Sequence, residues 1–183
     1  MGAFKQNLKK VYEADCSGLT SITVDGIFLD GHHYLILGDS FYYQTTGTHF
    51  LFLLRKDGTD VTSASYQRGG QTAQHGQSSL IIGSNASSPN GGTISYCGNQ
   101  PVESAGFKLW YYNAHYSGTK SYRTDTIGHV DGTGYRGESE MWTKLEIAKY
   151  DGFKITFNGF TADAGNLRVY EINMMESSYL DNV

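Results

Sequence analysis

Seven short dipeptides that favour tight turns divide this chain into apolar segments, and they constrain its fold more than any other feature. They are Asp25-Gly26, Asp30-Gly31, Asp57-Gly58, Asn90-Gly91, Asp131-Gly132, Asp151-Gly152 and Asn158-Gly159. Asp or Asn followed by Gly supplies the positive φ angles that two-residue hairpin turns require. Their recurrence predicts many short antiparallel strands joined by tight turns.

The apolar segments between these turns have the length and alternation of strands. Residues 50–54 are all apolar and end at Arg55-Lys56-Asp57-Gly58, which is typical of a central strand covered on both faces. Residues 107–112 and 153–158 alternate between two faces. Strands of this kind, spaced about 10 to 15 residues apart, are typical of a sandwich or a barrel.

Two segments are harder to assign. Residues 138–150 fit either a short helix, with Met141, Leu145 and Ala148 on one face, or a strand with Leu145 and Ile147 inward and Lys144 outward. We favour the strand, because strands are predicted on both sides. Residues 83–99 are rich in Ser, Asn and Gly, which predicts a long exposed loop.

The length of 183 residues suits one domain, which we place at residues 11–183 behind a polar, basic N-terminal arm at residues 1–10. The arm carries three lysines and two apolar residues that we predict to dock on an acidic lattice. These candidate docking residues are Phe4, Lys5, Leu8, Lys9 and Lys10.

The overall charge and hydropathy argue against two classes of partner. The net charge of −4 gives no attraction to nucleic acid, and no apolar run approaches the length that spans a membrane. The two cysteines, Cys16 and Cys97, form neither a disulfide framework nor a zinc set. We predict reduced, buried thiols in a protein made in the cytoplasm.

Three motifs suggest chemistry, and for each one a structural explanation is stronger. Residues 132–137 match G-x-G-x-x-G, but a dinucleotide site needs a strand before that motif and a helix after it. His32 and His33 are adjacent, so on a strand they point to opposite faces and do not easily chelate one ion, although in a turn they could. Glu138 and Glu140 are neighbours on one strand face, whereas the carboxyl pair of a glycosidase spans a cleft. We therefore predict no catalytic residue, no metal and no cofactor, and hence no enzyme.

Aromatic residues give the one positive functional signal, because they exceed what a small core needs. If Leu109 faces the core, alternation sends Trp110 and Tyr112 to the opposite face, where something else must cover them. Three explanations remain open: internal packing, a subunit interface, and stacking against a glycan. The candidate residues for an interface or for glycan stacking are Trp110, Tyr112, Tyr116, Tyr42 and Tyr43.

Four short segments together resemble the jelly-roll virion proteins of tailed phages. These segments are Ile22-Thr23-Val24-Asp25-Gly26-Ile27, Tyr34-Leu35-Ile36-Leu37, the stretch from Phe52 to Gly58, and the stretch from Gly165 to Ile172. The resemblance covers most of residues 19–172. It implies an all-β, antiparallel β-sandwich of jelly-roll type that serves as a head decoration (cement) protein or as a fibre or knob domain, with a homotrimer as its assembly.

The expected function is therefore non-enzymatic: a structural protein of a phage virion, assembled in the host cytoplasm, that stabilises the particle through subunit contacts. Its expected partners are copies of itself and the major capsid protein or another virion protein. The alternative is a carbohydrate- or receptor-binding domain of a tail fibre, in which the loop at residues 83–99 and the exposed rings contact a host surface glycan.

Overall fold

A computed structural model gives the fold and describes residues 7–42, 48–62, 66–74, 81–88, 92–97, 105–112, 120–130, 134–144 and 148–173. Within these ranges the chain is all-β, with thirteen strands and no helix. In chain order they are β1 (Asn7–Asp15), β2 (Ser21–Val24), β3 (His33–Tyr42), β4 (Thr48–Lys56), β5 (Thr59–Asp60), β6 (Tyr66–Gln74), β7 (Ile81–Ser88), β8 (Gly92–Cys97), β9 (Ala105–Tyr112), β10 (Lys120–Val130), β11 (Gly134–Lys144), β12 (Gly152–Thr156) and β13 (Ala164–Asn173). The predicted all-β, antiparallel class is confirmed.

The strands form two antiparallel sheets that pack face to face as a β-sandwich. The large sheet has eight strands in the order β1-β13-β3-β9-β10-β11-β6-β7. The small sheet has the order β2-β12-β4-β5, and β8 also pairs with β4. Rings join the two inner faces: the centroids of Phe41 and Phe50 lie 5.0 Å apart, and those of Phe52 and Tyr122 lie 4.8 Å apart.

Eight of the strands pair in a nested order, in which the first strand pairs with the last and each further pair lies between the strands of the previous pair in the sequence. β1 pairs with β13, β2 with β12, β3 with β9, and β4 with β8. Two hairpins are inserted into this order, β6–β7 between β4 and β8, and β10–β11 between β9 and β12. These four inserted strands continue the large sheet beyond β9.

Residues 50–54 occupy the centre of the small sheet, as their apolar run predicts. β4 pairs with β12 along one edge and with β8 and β5 along the other. Phe50, Phe52 and Leu54 are fully buried, and Leu53 on the opposite face is only 6 % exposed. Each such side chain contributes about 1.5–3 kcal/mol when it leaves water, so β4 is a main source of core stability.

One predicted hairpin turn is present as expected. Asp57 and Gly58 have φ angles of 51° and 73°, and they join Lys56 of β4 to Thr59 of β5. Positive φ at both central residues defines a type I′ turn, whose twist matches that of the flanking strands.

Other turn dipeptides serve a different purpose. Asp25-Gly26, Asp30-Gly31 and Asn158-Gly159 each contain a glycine with positive φ, but they lie in connections that cross from one sheet to the other. The turn prediction is wrong for Asp151-Gly152, because Gly152 is the buried first residue of β12. The dipeptides at residues 90–91 and 131–132 lie outside the described residues.

The last four residues of the predicted N-terminal arm form part of a strand. Residues 7–10 already belong to β1, which pairs with β13 from Asn7 opposite Asn173 to Asp15 opposite Asn166. A bulge between Lys10 and Tyr12 shifts the register of this pair. Residues 1–6 of the predicted arm lie outside the part of the chain that the structure describes.

The prediction of a long loop at residues 83–99 is wrong. Residues up to Ser88 belong to β7, and Gly92–Cys97 form β8. Ile94 is fully buried and β8 pairs with β4, so tertiary packing and ladder hydrogen bonds override the polar composition.

The strand interpretation of residues 138–150 is correct as far as Lys144, where β11 ends. The expected outward position of Lys144 is wrong, since its side chain is fully buried. Its Nζ lies 4.5 Å from the centroid of the Tyr66 ring, and Lys120 stands opposite it on β10. Leu145 and Ile147 lie outside the described residues.

Candidate interface on the outer face of the large sheet

Alternation along β9 decides which aromatic residues are available to a partner. Burial along this strand alternates strictly, and Phe107, Leu109 and Tyr111 are 3 %, 0 % and 0 % exposed. Trp110 and Tyr112 therefore point to the opposite face of the large sheet, away from the small sheet. Of the three explanations for these rings, internal packing between the two layers is excluded.

Register places five side chains in one line across this outer face. The line, which we call the outer row, comprises Tyr170 of β13, Leu35 of β3, Trp110 of β9, Arg123 of β10 and Met141 of β11. Because directly opposite residues in antiparallel strands lie about 4.5–5.5 Å apart, the side chains of the row form a continuous band.

Apart from Arg123, the side chains of the outer row are aromatic or aliphatic, and the row is partly open to solvent. Met141 is 56 % exposed, Trp110 and Tyr170 are half-buried, and Leu35 is 7 % exposed. The next row along the strands adds Tyr112, which is 43 % exposed. Large apolar side chains grouped at the surface mark interaction sites more often than single exposed ones do.

Charged side chains lie within the outer row and directly beside it. The Arg123 guanidinium donates from Nε and Nη2 to Asp125 Oδ1 at 3.2 and 3.1 Å, and the Ser139 hydroxyl donates to the same oxygen at 2.8 Å. Lys108 stands opposite Asp125 on β9 and is exposed. Charged and apolar side chains are therefore interspersed at the middle of this face.

Not all the predicted aromatic candidates are brought together. Trp110 and Tyr112 share the outer face, and the His33 ring lies 5.9 Å from that of Tyr112. Tyr42 ends β3, opposite Ala164 of β13, and its side chain is outside the described part of the structure. Tyr43 and Tyr116 lie outside the described residues.

The candidate docking residues are divided in the same way. Phe4 and Lys5 lie outside the described residues, whereas Leu8, Lys9 and Lys10 are exposed residues of β1. Lys10 contacts Glu13 at 2.5 Å, and this contact raises the pKa of Lys10 and lowers that of Glu13. Lys9 Nζ lies 3.8 Å from Glu171, so two of the three lysines already have an acidic neighbour within the chain.

His32 and His33 have different surroundings, as expected for adjacent residues. His32 Nδ1 contacts the carboxylate of Glu171, which is a buried residue of β13. Burial, together with the neighbouring His32, lowers the pKa of His33. No three His, Cys, Asp or Glu side chains among the described residues are grouped to hold a metal ion.

The other two motifs lie in strand structure. Gly134 to Gly137 of the G-x-G-x-x-G match are the first residues of β11, and no helix follows within the described ranges. Glu138 and Glu140 are in the same strand, opposite Thr126 and Thr124 of β10. The described part of the chain contains no apolar helix of membrane-spanning length.

A second surface feature is a cleft of about 510 Å³ at the end of the sandwich near the β4–β5 hairpin. Asp30, Lys56, Lys149 and Asp151 contribute to its lining, beside the rings of Phe28 and Tyr150. These rings are only 5 % and 3 % exposed, so their faces are not available for stacking. The cleft therefore lacks the aromatic platform that the outer face provides.

Sequence reasoning missed four of the five residues of the outer row, namely Leu35, Arg123, Tyr170 and Met141. Leu35 lies in a continuous apolar run, so alternation does not assign it to a face. Tyr170 and Met141 lie on strands whose neighbouring strands cannot be identified from the local sequence. The parity of Tyr170 relative to Leu167 and Val169 was a usable signal, because both of those residues are fully buried on the inner face. No family model, curated protein or solved structure matches the chain significantly, so a functional assignment depends on the residues themselves.

Proposed function

We propose that this protein is a non-enzymatic structural protein of a tailed-phage particle, a capsid decoration (cement) protein or part of an appendage. Its role is to attach to neighbouring subunits and to stabilise the particle by burying surface between them. The observation that carries the proposal is the outer row, in which Trp110, Tyr170 and Met141 form a partly exposed band on the outer face of the large sheet.

The strand order supports a jelly roll as the framework. A jelly roll has eight antiparallel strands divided between two sheets. In this chain the nested strands divide into β1-β13-β3-β9 and β2-β12-β4-β8, so that first pairs with last and each successive pair lies inside the previous one. The two inserted hairpins then widen one sheet and enlarge its outer face.

The composition of the outer row fits a contact between proteins. Trp, Tyr, Met and Arg are enriched at the cores of protein interfaces, and a few desolvated residues carry most of the binding energy. A stable interface buries about 1,600 Å² in total, which is more than one row supplies, so neighbouring rows must take part. Copies of the chain and the major capsid protein are the proposed partners, and the resemblance to virion proteins implies three copies.

Self-association and particle binding test the proposal together. Multi-angle light scattering gives the number of copies, and mass spectrometry of purified particles of the phage that encodes the chain gives its location. We expect an oligomer that Trp110→Ala or Met141→Asp dissociates, with Lys56→Ala on the small sheet as a control that does not. A chain that stays monomeric and is missing from particles would overturn the proposal.

A second candidate function is glycan binding by the same face. Tyr112 is 43 % exposed and lies two residues from Trp110 on β9, which presents two rings on a sheet surface. Sugars stack on such rings through their apolar faces. The segment at residues 83–99 is not part of this second proposal, because most of it forms β7 and β8 and not a loop.

Glycan-array binding and titration followed by tryptophan fluorescence separate the two functions. Specific sugar binding that Trp110→Ala abolishes, with the oligomer intact, would favour the glycan-binding role. Loss of the oligomer in the same variant, with no sugar bound, would favour assembly.

A further inference from the structure

Four side chains at the middle of the outer face form a square of alternating chemistry, which we call the central quartet. Lys108 and Trp110 are on β9, and Asp125 and Arg123 stand directly opposite them on β10. The two cations, Lys108 and Arg123, occupy one diagonal of the square. The carboxylate of Asp125 and the ring of Trp110, both of which attract cations, occupy the other.

The quartet is near the middle of the large sheet and open to solvent. β9 and β10 are the fourth and fifth of its eight strands, so the square has a similar width of sheet on either side. Lys108 and Arg123 are exposed, and Asp125 and Trp110 are half-buried. Asp125 already accepts hydrogen bonds from Arg123 and Ser139 at Oδ1, but a carboxylate has about four acceptor positions.

Alternation along both edges makes the square complementary to a second copy of itself. Consider two large sheets packed outer face to outer face about a two-fold axis that lies between them and passes through the square. An axis parallel to the strands exchanges β9 with β10, so that Lys108 meets the partner's Asp125 and Arg123 meets the partner's Trp110. An axis perpendicular to the strands exchanges the two rows, so that Arg123 meets the partner's Asp125 and Lys108 meets the partner's Trp110.

In both arrangements every cation meets an anion or a ring, and no charge meets its like. The flanking apolar residues also meet one another. With the parallel axis Leu35 lies opposite the partner's Met141, and with the perpendicular axis it lies opposite the partner's Leu37. Sheets that pack face to face cross at an angle of about 30°. This rotation displaces residues near the axis least, so the residues of the quartet remain opposite the same residues of the partner.

We propose that the occupant of the outer face is a second copy of this chain, held in a two-fold pair that is centred on the central quartet. The pairing rests on the proposed function, because it uses the same face as the assembly contact. It goes further in naming the partner and the symmetry, and it takes two copies where the resemblance to virion proteins implies three. An interface of this kind is isologous, with the same patch contributed by both subunits.

Charge reversal with reciprocal rescue tests the pairing. Sedimentation velocity over a concentration series gives the dissociation constant of the pair for the unaltered chain and for Asp125→Lys. We expect the reversal to raise that constant about tenfold or more, because it brings like charges together at the centre of the contact. Lys56→Glu, on the small sheet, is the control and leaves the constant unchanged.

Two double variants then identify the axis. Lys108→Glu combined with Asp125→Lys restores the pair only if the axis is parallel to the strands. Arg123→Glu combined with Asp125→Lys restores it only if the axis is perpendicular to them. Circular dichroism at low concentration verifies that each variant is folded.

The outcomes separate this inference from the proposed function. Rescue by either double variant supports the two-fold pair. A trimer, or a dimer unaffected by Asp125→Lys, overturns the pair and leaves the assembly role in place. A monomer that still binds phage particles also overturns the two-fold pair but leaves the assembly role in place. A monomer that is missing from particles overturns both the pair and the assembly role.

Discussion

Gly152 lies at a point where the backbones of β12 and β2 approach too closely for a side chain. A Cβ at this position would overlap the carbonyl oxygen of Val24 and lie 2.8 Å from the Asp25 Cα. Both neighbours are backbone atoms, which cannot move aside as a flexible side chain does.

We expect Gly152→Ala to lower the free energy of unfolding by about 1–3 kcal/mol, the range for forcing an extra methyl group into a packed site. Urea denaturation measures this loss. Gly106→Ala is the matched control, since its Cβ would meet only the Gly38 carbonyl oxygen at 3.3 Å, and it is expected to cost less. Equal costs for the two variants would contradict this explanation.

Cys16 is fully buried, and burial together with the charge of Asp15 raises the pKa of its thiol from 9.0 to about 11. The folded protein therefore keeps a proton that the unfolded chain releases above pH 9. The stability that this thiol contributes is fully present below pH 9, and it declines as the pH rises towards 11.

We subtract the unfolding free energy of Cys16→Ala from that of the unaltered protein. We expect this difference to fall by at most about 2–3 kcal/mol between pH 9 and pH 11. Chemical denaturation at a series of pH values measures it. The difference is expected to stay constant between pH 6 and 8, where the thiol is protonated in both states. A constant difference up to pH 11 would show that the thiol is not held in its neutral form.

Local sequence pattern is least informative about single polar residues inside the fold. Lys144 looks like an outward-facing strand residue, yet it is buried over the Tyr66 ring, and this position depends on the pairing of β11 with both β6 and β10. Asp151-Gly152 looks like a turn because its composition is that of a turn. Only the close approach of β2 explains why a glycine is needed there within a strand.

The β4–β5 hairpin is held to the rest of the small sheet by Arg55. This guanidinium contacts the carboxylates of Asp25 and Asp60 and the carbonyl oxygen of Gly58, and its side chain is only 11 % exposed. Lys154 of β12 adds a contact to Asp60 at 2.9 Å. Arg55 thus joins the hairpin to the connection after β2, and Lys154 joins it to β12.

We expect Arg55→Lys to lower the free energy of unfolding by about 1–3 kcal/mol, because an ammonium group cannot satisfy three acceptors that lie in different directions, and the link between the hairpin and the connection after β2 is weakened. Thermal unfolding followed by circular dichroism measures the change. Arg123→Lys, on the exposed outer face, is the comparison and is expected to be nearly neutral for the isolated monomer. An equal loss in both variants would mean that Arg55 has no special part in the hairpin.

Alternation identified the faces of β9 and β12 from sequence, because polar and apolar residues take turns along both strands. It failed for β3, where the run Tyr34 to Leu37 is apolar on both sides, and so the position of Leu35 in the outer row required the register with β9 and β13. It also failed for β8, whose Ser, Gly and Thr residues resemble a loop. Pairing partners distant in sequence decide such segments.

We expect backbone amides to exchange hydrogen with solvent much more slowly at the centre of the large sheet than at its edge. β9 has neighbours on both sides and its inner side chains are buried, whereas β7 ends the sheet and pairs only with β6 among the described strands. Amides in a strand with one neighbour open more readily than those in a paired, covered strand.

Hydrogen–deuterium exchange followed by mass spectrometry measures this difference. We expect the slowest exchange in β4 and β9 and the fastest strand exchange in β7, at a pH and temperature where the protein is folded. Exchange in unfolding concentrations of denaturant supplies the reference for each peptide. Equal protection of β7 and β9 would contradict the expectation that β7 is an open edge of the sheet.

The order in which the strands are joined was not predictable from residue patterns. Turn dipeptides and alternation indicated an antiparallel sandwich, because both features depend on neighbours close in sequence. The nested pairs depend instead on contacts between distant segments, such as β1 with β13 and β2 with β12. The outer row follows from the same long-range register, which is why Trp110 is its only residue that was identified in advance.

The pairing of β1 with β13 has a consequence for synthesis on the ribosome. Chains are synthesised at about 5–20 residues per second, so several seconds or more pass between the synthesis of β1 and that of its partner strand β13. During that interval β3 also lacks the neighbour that separates it from β1. The nascent chain must therefore stay soluble with open strand edges until β13 is free to pair with β1 and β3.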